Sequence, residues 1–164
     1  MPARSSLGLQ TVKRILHAAS GISGAQVSAK AVVAAVRAVI WVLQEGAKAS
    51  VLALEQSRTK TVTYRIVHNV FVNKFTGIHE EDVQAQESRS KASKSAIPLA
   101  SVVKVFRQKL RAKDRITNEA ARTLTSVAEA YLKVLAKNAA LLTKAAHRVT
   151  IQQADIVGAR HFTC

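Results

Sequence analysis

The chain has 164 residues and carries 25 Lys and Arg against 10 Asp and Glu, a net charge of +15. So large a surplus raises self-repulsion in the folded state and suits a polyanionic partner: nucleic acid, an anionic membrane surface or an acidic protein. The 48% hydrophobic content excludes a disordered basic tail, and the single cysteine, Cys164, excludes an intrachain disulfide framework or a thiolate zinc site.

Met1–Gly8 holds one arginine and no apolar run, so it reads as a short tail without the pattern of a secretory leader. A short helix is predicted over Leu9–Ala19. A long one follows, starting at Ser28, a good N-cap residue. Val32, Val36, Val39, Ile40, Leu43, Ala47, Val51 and Leu54 give it the 3.6-residue stripe of a buried face. It runs for about thirty residues, or about 45 Å. Its most apolar stretch, Ala29–Leu43, is broken by Lys30 and Arg37 and is too short to span a bilayer. A second short helix is predicted over Thr63–Phe75. Residues 76–96 combine an acidic cluster, His79–Asp82, with the Ser/Lys-rich run Ser88–Ser95, and read as a solvated linker. Lys91 and Lys94 in that run are candidates for modification.

The pattern then repeats. A short helix is expected over Pro98–Leu110, where proline suits a first helical turn. A long helix starts at Thr117, with the stripe Leu124, Val127, Ala128, Tyr131, Leu135, Ala139, Leu142 and Ala146. A last short helix covers Gln152–Phe162, and Thr150 with Gln153 has capping-box spacing. Sliding the chain by 89 residues lays Gln26–Ser28 on Arg115–Thr117 and Thr61-Val62 on Thr150-Ile151, the signature of an internal repeat. Charge follows the same division: 1–75 and 97–164 are each net +8, and 76–96 is net −1. The predicted fold is therefore all-α, with a tail at 1–8, one helical unit at 9–75, a linker at 76–96 and a second unit at 97–164. Each unit is too small to bury much surface alone, so the two should support each other.

A long helix between two short ones is the histone-fold pattern. The second unit, from Ile97 to Phe162, closely resembles eukaryotic histone three through Glu129–Leu132, Arg148–Ile151, Asp155-Ile156 and Ala159-Arg160. The first is similar to histone four through Lys60–Thr63, and its opening, Ser6–Arg14, also resembles histone two-A. The whole looks like the fused histone doublets of large DNA viruses, in the order four then three; archaeal double histones are the second comparison. That resemblance implies two tandem histone folds clasped within one chain, wrapping duplex DNA without sequence preference to package a genome in nucleosome-like particles. The location implied is a viral factory, virion or host nucleus.

The resemblance also implies roles. Arg115 would be the arginine that enters the minor groove, with Ile116 and Thr117 beside it. Arg148, Val149 and Thr150 would form the second loop of that unit. Lys60, Thr61 and Thr63 would form the matching loop of the first unit, with Arg58 near. Lys13, Arg14, Lys104, Arg107, Lys109 and Arg111 on and after the short helices would add backbone contacts. Arg148 with Asp155 would form a clamp that fixes a loop. In the first unit Gln26 stands where the minor-groove arginine belongs, and Thr59 and Ile66 where the clamp pair would be, so that unit should grip DNA more weakly. Leu142, Ala145, Ala146, Ile156 and Ala159 would join two copies into a dimer of doublets, and a second kind of doublet could complete the particle.

No catalytic constellation stands out. His17, His68, His79, His147 and His161 form no metal-ligand pair, and no glycine-rich phosphate loop is present. An enzyme, a small-molecule substrate, a cofactor and a membrane role are accordingly not expected. The alternative is a regulatory histone-fold protein acting in a transcription or chromatin complex without wrapping DNA. Aromatic content of 4% argues against a single-stranded RNA binder, which needs stacking platforms.

Overall fold

The computed structural model describes residues 7–22, 26–92 and 97–163. The expectations for residues 1–6, Lys94, Cys164 and the side chain of Lys91 lie outside the described residues. The first unit runs α1 (Leu9–Ala19), β1 (Gln26–Val27), α2 (Ala29–Ser57), β2 (Thr61–Val62) and α3 (Tyr64–Lys74). A connecting helix, α4 (Glu80–Ala92), leads to the second unit: α5 (Leu99–Arg107), β3 (Arg115–Ile116), α6 (Asn118–Ala145), β4 (Thr150–Ile151) and α7 (Gln153–Thr163).

The long helices begin alike. The Ser28 hydroxyl accepts from the Ala31 amide at 3.1 Å, and the Thr117 hydroxyl from the Ala120 amide at 3.1 Å. Each cap satisfies a donor that has no partner within its helix. They also end alike, each followed by a non-glycine residue in the left-handed region, Arg58 (φ 56°) and His147 (φ 57°). These two residues are 89 apart, the same offset that relates β1 to β3, β2 to β4 and α3 to α7. The repeat seen in the sequence is thus a repeat of backbone geometry. Pro98 sits one residue earlier than expected, as the N-cap of α5.

The units clasp head to tail. β1 pairs in parallel with β4 (Gln26 with Thr150, Val27 with Ile151), and β2 with β3 (Thr61 with Arg115, Val62 with Ile116). Besides packing within its own unit, α1 lies on α6, α5 on α2, α3 on α6 and α7 on α2. A single apolar core results, in which Leu16, Leu43, Leu54, Phe71, Phe106, Leu124, Tyr131 and Leu132 are fully buried. Phe71 stacks on Phe75 with centroids 5.9 Å apart and meets Phe106 of the second unit at 6.3 Å.

The reading of residues 76–96 as a solvated linker is corrected in part. Residues 80–92 are helical and pack along α6. Glu80, Glu81 and Asp82 occupy the first turn, where negative charge is favourable against the helix dipole. Val83 is fully buried, and Gln86, also buried, donates to the Glu129 carboxylate while accepting from Lys133. Glu129 also accepts from the Ile97 amide at 3.3 Å. This buried carboxylate ties the middle of α4 and the start of the second unit to α6, and its burial is tolerable because it is hydrogen-bonded.

Candidate nucleic-acid interface

The two strand pairs form two ends of the molecule, and each end takes one loop from each unit. At the first end β1 and β4 bring together Gln26, Arg148, Val149 and Thr150, with the N-termini of α2 and α7 beside them. At the second end β2 and β3 bring together Lys60, Thr61, Thr63, Arg115, Ile116 and Thr117, with Arg58 nearby and the N-termini of α3 and α6. A helix N-terminus presents unsatisfied N–H groups and a partial positive charge, and two of them side by side suit an anion.

The ends differ in what they offer. At the second end Arg58, Lys60 and Arg115 are all exposed, and the Arg115 amide donates to the Lys60 carbonyl at 2.7 Å. Thr63 is the N-cap of α3 but makes no side-chain capping bond, which suits its hydroxyl to an outside acceptor. At the first end Gln26 is exposed and neutral. Arg148 there is held in a bidentate pair with Asp155, Nη1 to Oδ2 and Nη2 to Oδ1, both 2.9 Å. Arg148 Nη1 also donates to the Thr150 carbonyl at 3.1 Å. The Thr143 hydroxyl and the Gln152 amide complete the carboxylate's shell, each at 2.9 Å. Burial alone would raise the Asp155 carboxyl, but the Arg148 guanidinium, the Gln152 amide and the Thr143 hydroxyl hold it below the ordinary carboxylate value. The same hydrogen bond raises the Arg148 guanidinium. Gln26 and the engaged Arg148 therefore share one end, which is built from both units.

Of the short-helix cations, Lys13, Arg14, Lys104, Arg107 and Lys109 are exposed. Arg111 is different. Its guanidinium faces inward onto Asp114, Nη2 to Oδ1 at 2.9 Å and Nε to Oδ2 at 3.0 Å, and the Asp114 side chain is fully shielded from solvent. Arg111 is thus half-buried and already engaged, unlike the other five.

The residues expected to join two copies differ in their burial. Ile156 and Ala159 are fully buried in the chain's own core and have no area left to offer. Leu142 is half-buried, while Ala145 and Ala146 are exposed. Beside them, Leu141, Val157 and Phe162 are exposed by 64, 47 and 68%. The sequence does not single these three out, because Leu141 lies one step off the apolar stripe and α7 is too short to show two faces. Gly158 brings α7 close to α6: a Cβ there would meet Leu142 Cδ1 at 2.8 Å.

Residues 77–162, just over half of the chain, match the family model of the core histone domain, which covers histones two-A, two-B, three and four. The chain belongs to the core histone family. The match begins at 77, so it takes in α4 as well as the second unit. Among curated proteins none matches this histone. Among solved structures it is similar to the histone from Methanopyrus kandleri, at 18% identity and a TM-score of 0.62, over 93% of this chain and 92% of that one. It is also similar to a protein from Thermus thermophilus, at 12% identity and a TM-score of 0.68, over 95% of both chains. At such identities the likeness speaks for the fold, and it extends over both units. Histone-family proteins are structural DNA-binding proteins that associate with one another, and DNA binding and packaging are the general function that goes with this fold. Among the described residues, no helix is long and apolar enough to cross a membrane.

Proposed function

We propose that this histone is a fused doublet that wraps duplex DNA without sequence preference and packages a genome in nucleosome-like particles. The observation that carries this is the pairing of loops into two ends, with exposed Arg58, Lys60 and Arg115 gathered around two helix N-termini at one of them. Phosphate contacts of this kind position a protein on DNA and carry no sequence information. The DNA is held unequally: firmly at the Arg115 end, more loosely at the Gln26 end. If about ten phosphates are neutralised, binding should fall with salt at a log–log slope near about −9.

Two doublets associate through the apolar surface of Leu141, Leu142, Ala145, Val157 and Phe162, giving four histone folds, with a second kind of doublet as a further partner. The order of the units, similar to histone four and then histone three, supports a large-DNA-virus source and a place in a viral factory, virion or host nucleus. Nuclease digestion of long duplex DNA reconstituted with the protein tests the reading. Protected fragments repeating at a fixed step are expected. A featureless smear despite binding would refute wrapping and favour a regulatory histone-fold protein.

A further inference from the structure

We infer that Arg111 is a positioning residue that braces the β2 loop of the first unit from the second unit, in place of the clamp that the first unit lacks. The inference rests on the DNA-binding reading for its consequence, but its geometry stands apart from it.

In the second unit the loop before β4 is fixed from within: Arg148 forks onto Asp155 and also holds the Thr150 carbonyl. The corresponding positions of the first unit are Thr59 and Ile66, which cannot form an ion pair. The loop between α2 and β2 nevertheless turns sharply, through Arg58 in the left-handed region. Such a backbone disfavours a residue bearing a Cβ and persists when its surroundings hold it.

Arg111 supplies the hold. Its Nη2 points to the Thr59 carbonyl at 3.5 Å, its Nη1 lies 3.7 Å from the Glu55 carboxylate at the end of α2, and its Nε and Nη2 grip Asp114. The Arg111 amide donates to the same Asp114 carboxylate at 2.9 Å, which closes the loop before β3 into a rigid bracket. The hydrogen bond from Arg111 holds the Asp114 carboxyl below its ordinary range, with Lys113 adding to this against the cost of burial. One guanidinium therefore touches the last turn of α2, the loop before β2 and the loop before β3. The next residue along from Thr59 is Lys60, whose carbonyl receives the Arg115 amide. Both ends are thus stiffened by an arginine forked onto an aspartate that also reaches a loop carbonyl. At one end the fork and its reach stay within a single unit; at the other the fork is internal to the second unit and only its reach, to the Thr59 carbonyl and Glu55, crosses to the first. Arginine is needed for this because its planar fork serves several acceptors at once, which a lysine ammonium on a flexible stem does not.

Arg111→Ala and the milder Arg111→Lys test the inference. In the free protein, the amides of Arg115 and Thr117, bonded to the carbonyls of Lys60 and Val62, should exchange hydrogen about tenfold faster in either variant. The amides of Gln26 and Ser28 at the other end, bonded to Val149 and Ile151, should keep their protection. Binding to a mixed-sequence duplex should weaken several-fold with the salt slope unchanged, because no phosphate contact is removed. A slope reduced by about one in Arg111→Ala, with Arg111→Lys indistinguishable from wild type, would show a phosphate contact and overturn the inference. Equal loss of protection at both ends, or none at either, would also overturn it. Were the wild-type protein not to bind duplex DNA, the exchange measurement would still decide the brace.

Discussion

Replacing Gly46 by alanine tests whether the two units are locked together at one aromatic contact. Gly46 lies within α2, where an exposed Gly→Ala change would ordinarily stabilise by about 1 kcal/mol. Here a Cβ would fall 2.1 Å from Phe71 Cζ and 2.4 Å from its Cε1. Ordinary carbon contacts lie at about 3.5–4.0 Å, so the ring must retreat by about 1.5 Å. It has nowhere to go: Phe71 is fully buried, stacked on Phe75 and set against Phe106 of the other unit. Overpacking of this kind costs about 1–3 kcal/mol, and the absence of free volume puts it at the upper end. After the helix gain is deducted, a net loss of about 2 kcal/mol is expected. For a chain of this size that lowers Tm by about 4–8 °C. Urea denaturation should show a lower midpoint with an unchanged slope. Adding Phe71→Leu should relieve the conflict, so that the double variant loses less than the sum of the two single losses. A Gly46→Ala protein as stable as wild type would mean that the ring has slack, and the argument for a tightly packed junction would fail.

Arg115→Ala should weaken duplex binding by about tenfold, the scale of one charge-assisted contact, on every sequence alike and with the salt slope reduced by about one; a loss confined to one sequence would contradict nonspecific positioning. Asp155→Asn should destabilise the fold in a pH-dependent way. The folded-state carboxyl lies below its unfolded value of about 3.9, so its contribution is complete above that pH and is lost as pH falls through the lower folded value. The stability gap between wild type and variant, followed by denaturation, should be constant from about pH 8 to 5 and narrow below about pH 4; an undiminished gap in acid would refute it. Leu141→Glu with Phe162→Glu should leave a monomeric doublet in sedimentation where wild type forms dimers, and a wild type that is only ever monomeric, with and without DNA, would remove the dimer proposal. Trp41 is the one tryptophan, and the Arg160 guanidinium lies 4.6 Å from its ring centroid. Arg160→Ala should therefore shift Trp41 emission to the red, and unchanged emission would mean that this cover does not persist in solution.

What can be read from the residues is what repeats. Ser28 and Thr117 announce the starts of the long helices, and the 89-residue offset carries their loops and last helices with it. The pairing of Gln26 with Thr150, which brings Gln26 to the end that holds Arg148, is not legible, because strand pairing between units is a tertiary fact that no local pattern records. The connecting helix α4 escapes for a different reason. It buries chiefly Val83 and Gln86, so it has no apolar stripe, and its docking rests on the buried carboxylate of Glu129 far along the chain. Arg111 reads like every other cation beside a short helix until Asp114 is seen beneath it. Residue type alone places Ile156 and Ala159 on an outer surface, but helix rotation decides which face is outer, and it turns them inward.

The swapped packing has a consequence for how the protein endures dilution. When two such units are separate polypeptides, folding and association are one equilibrium, and stability depends on protomer concentration. Continuity of the chain through α4 makes the encounter intramolecular, with an effective concentration on the order of millimolar for a short linker. The clasp then forms at any level of expression, always in a ratio of one to one. Like-with-like pairing of two first units would have to compete against a neighbour that is never absent.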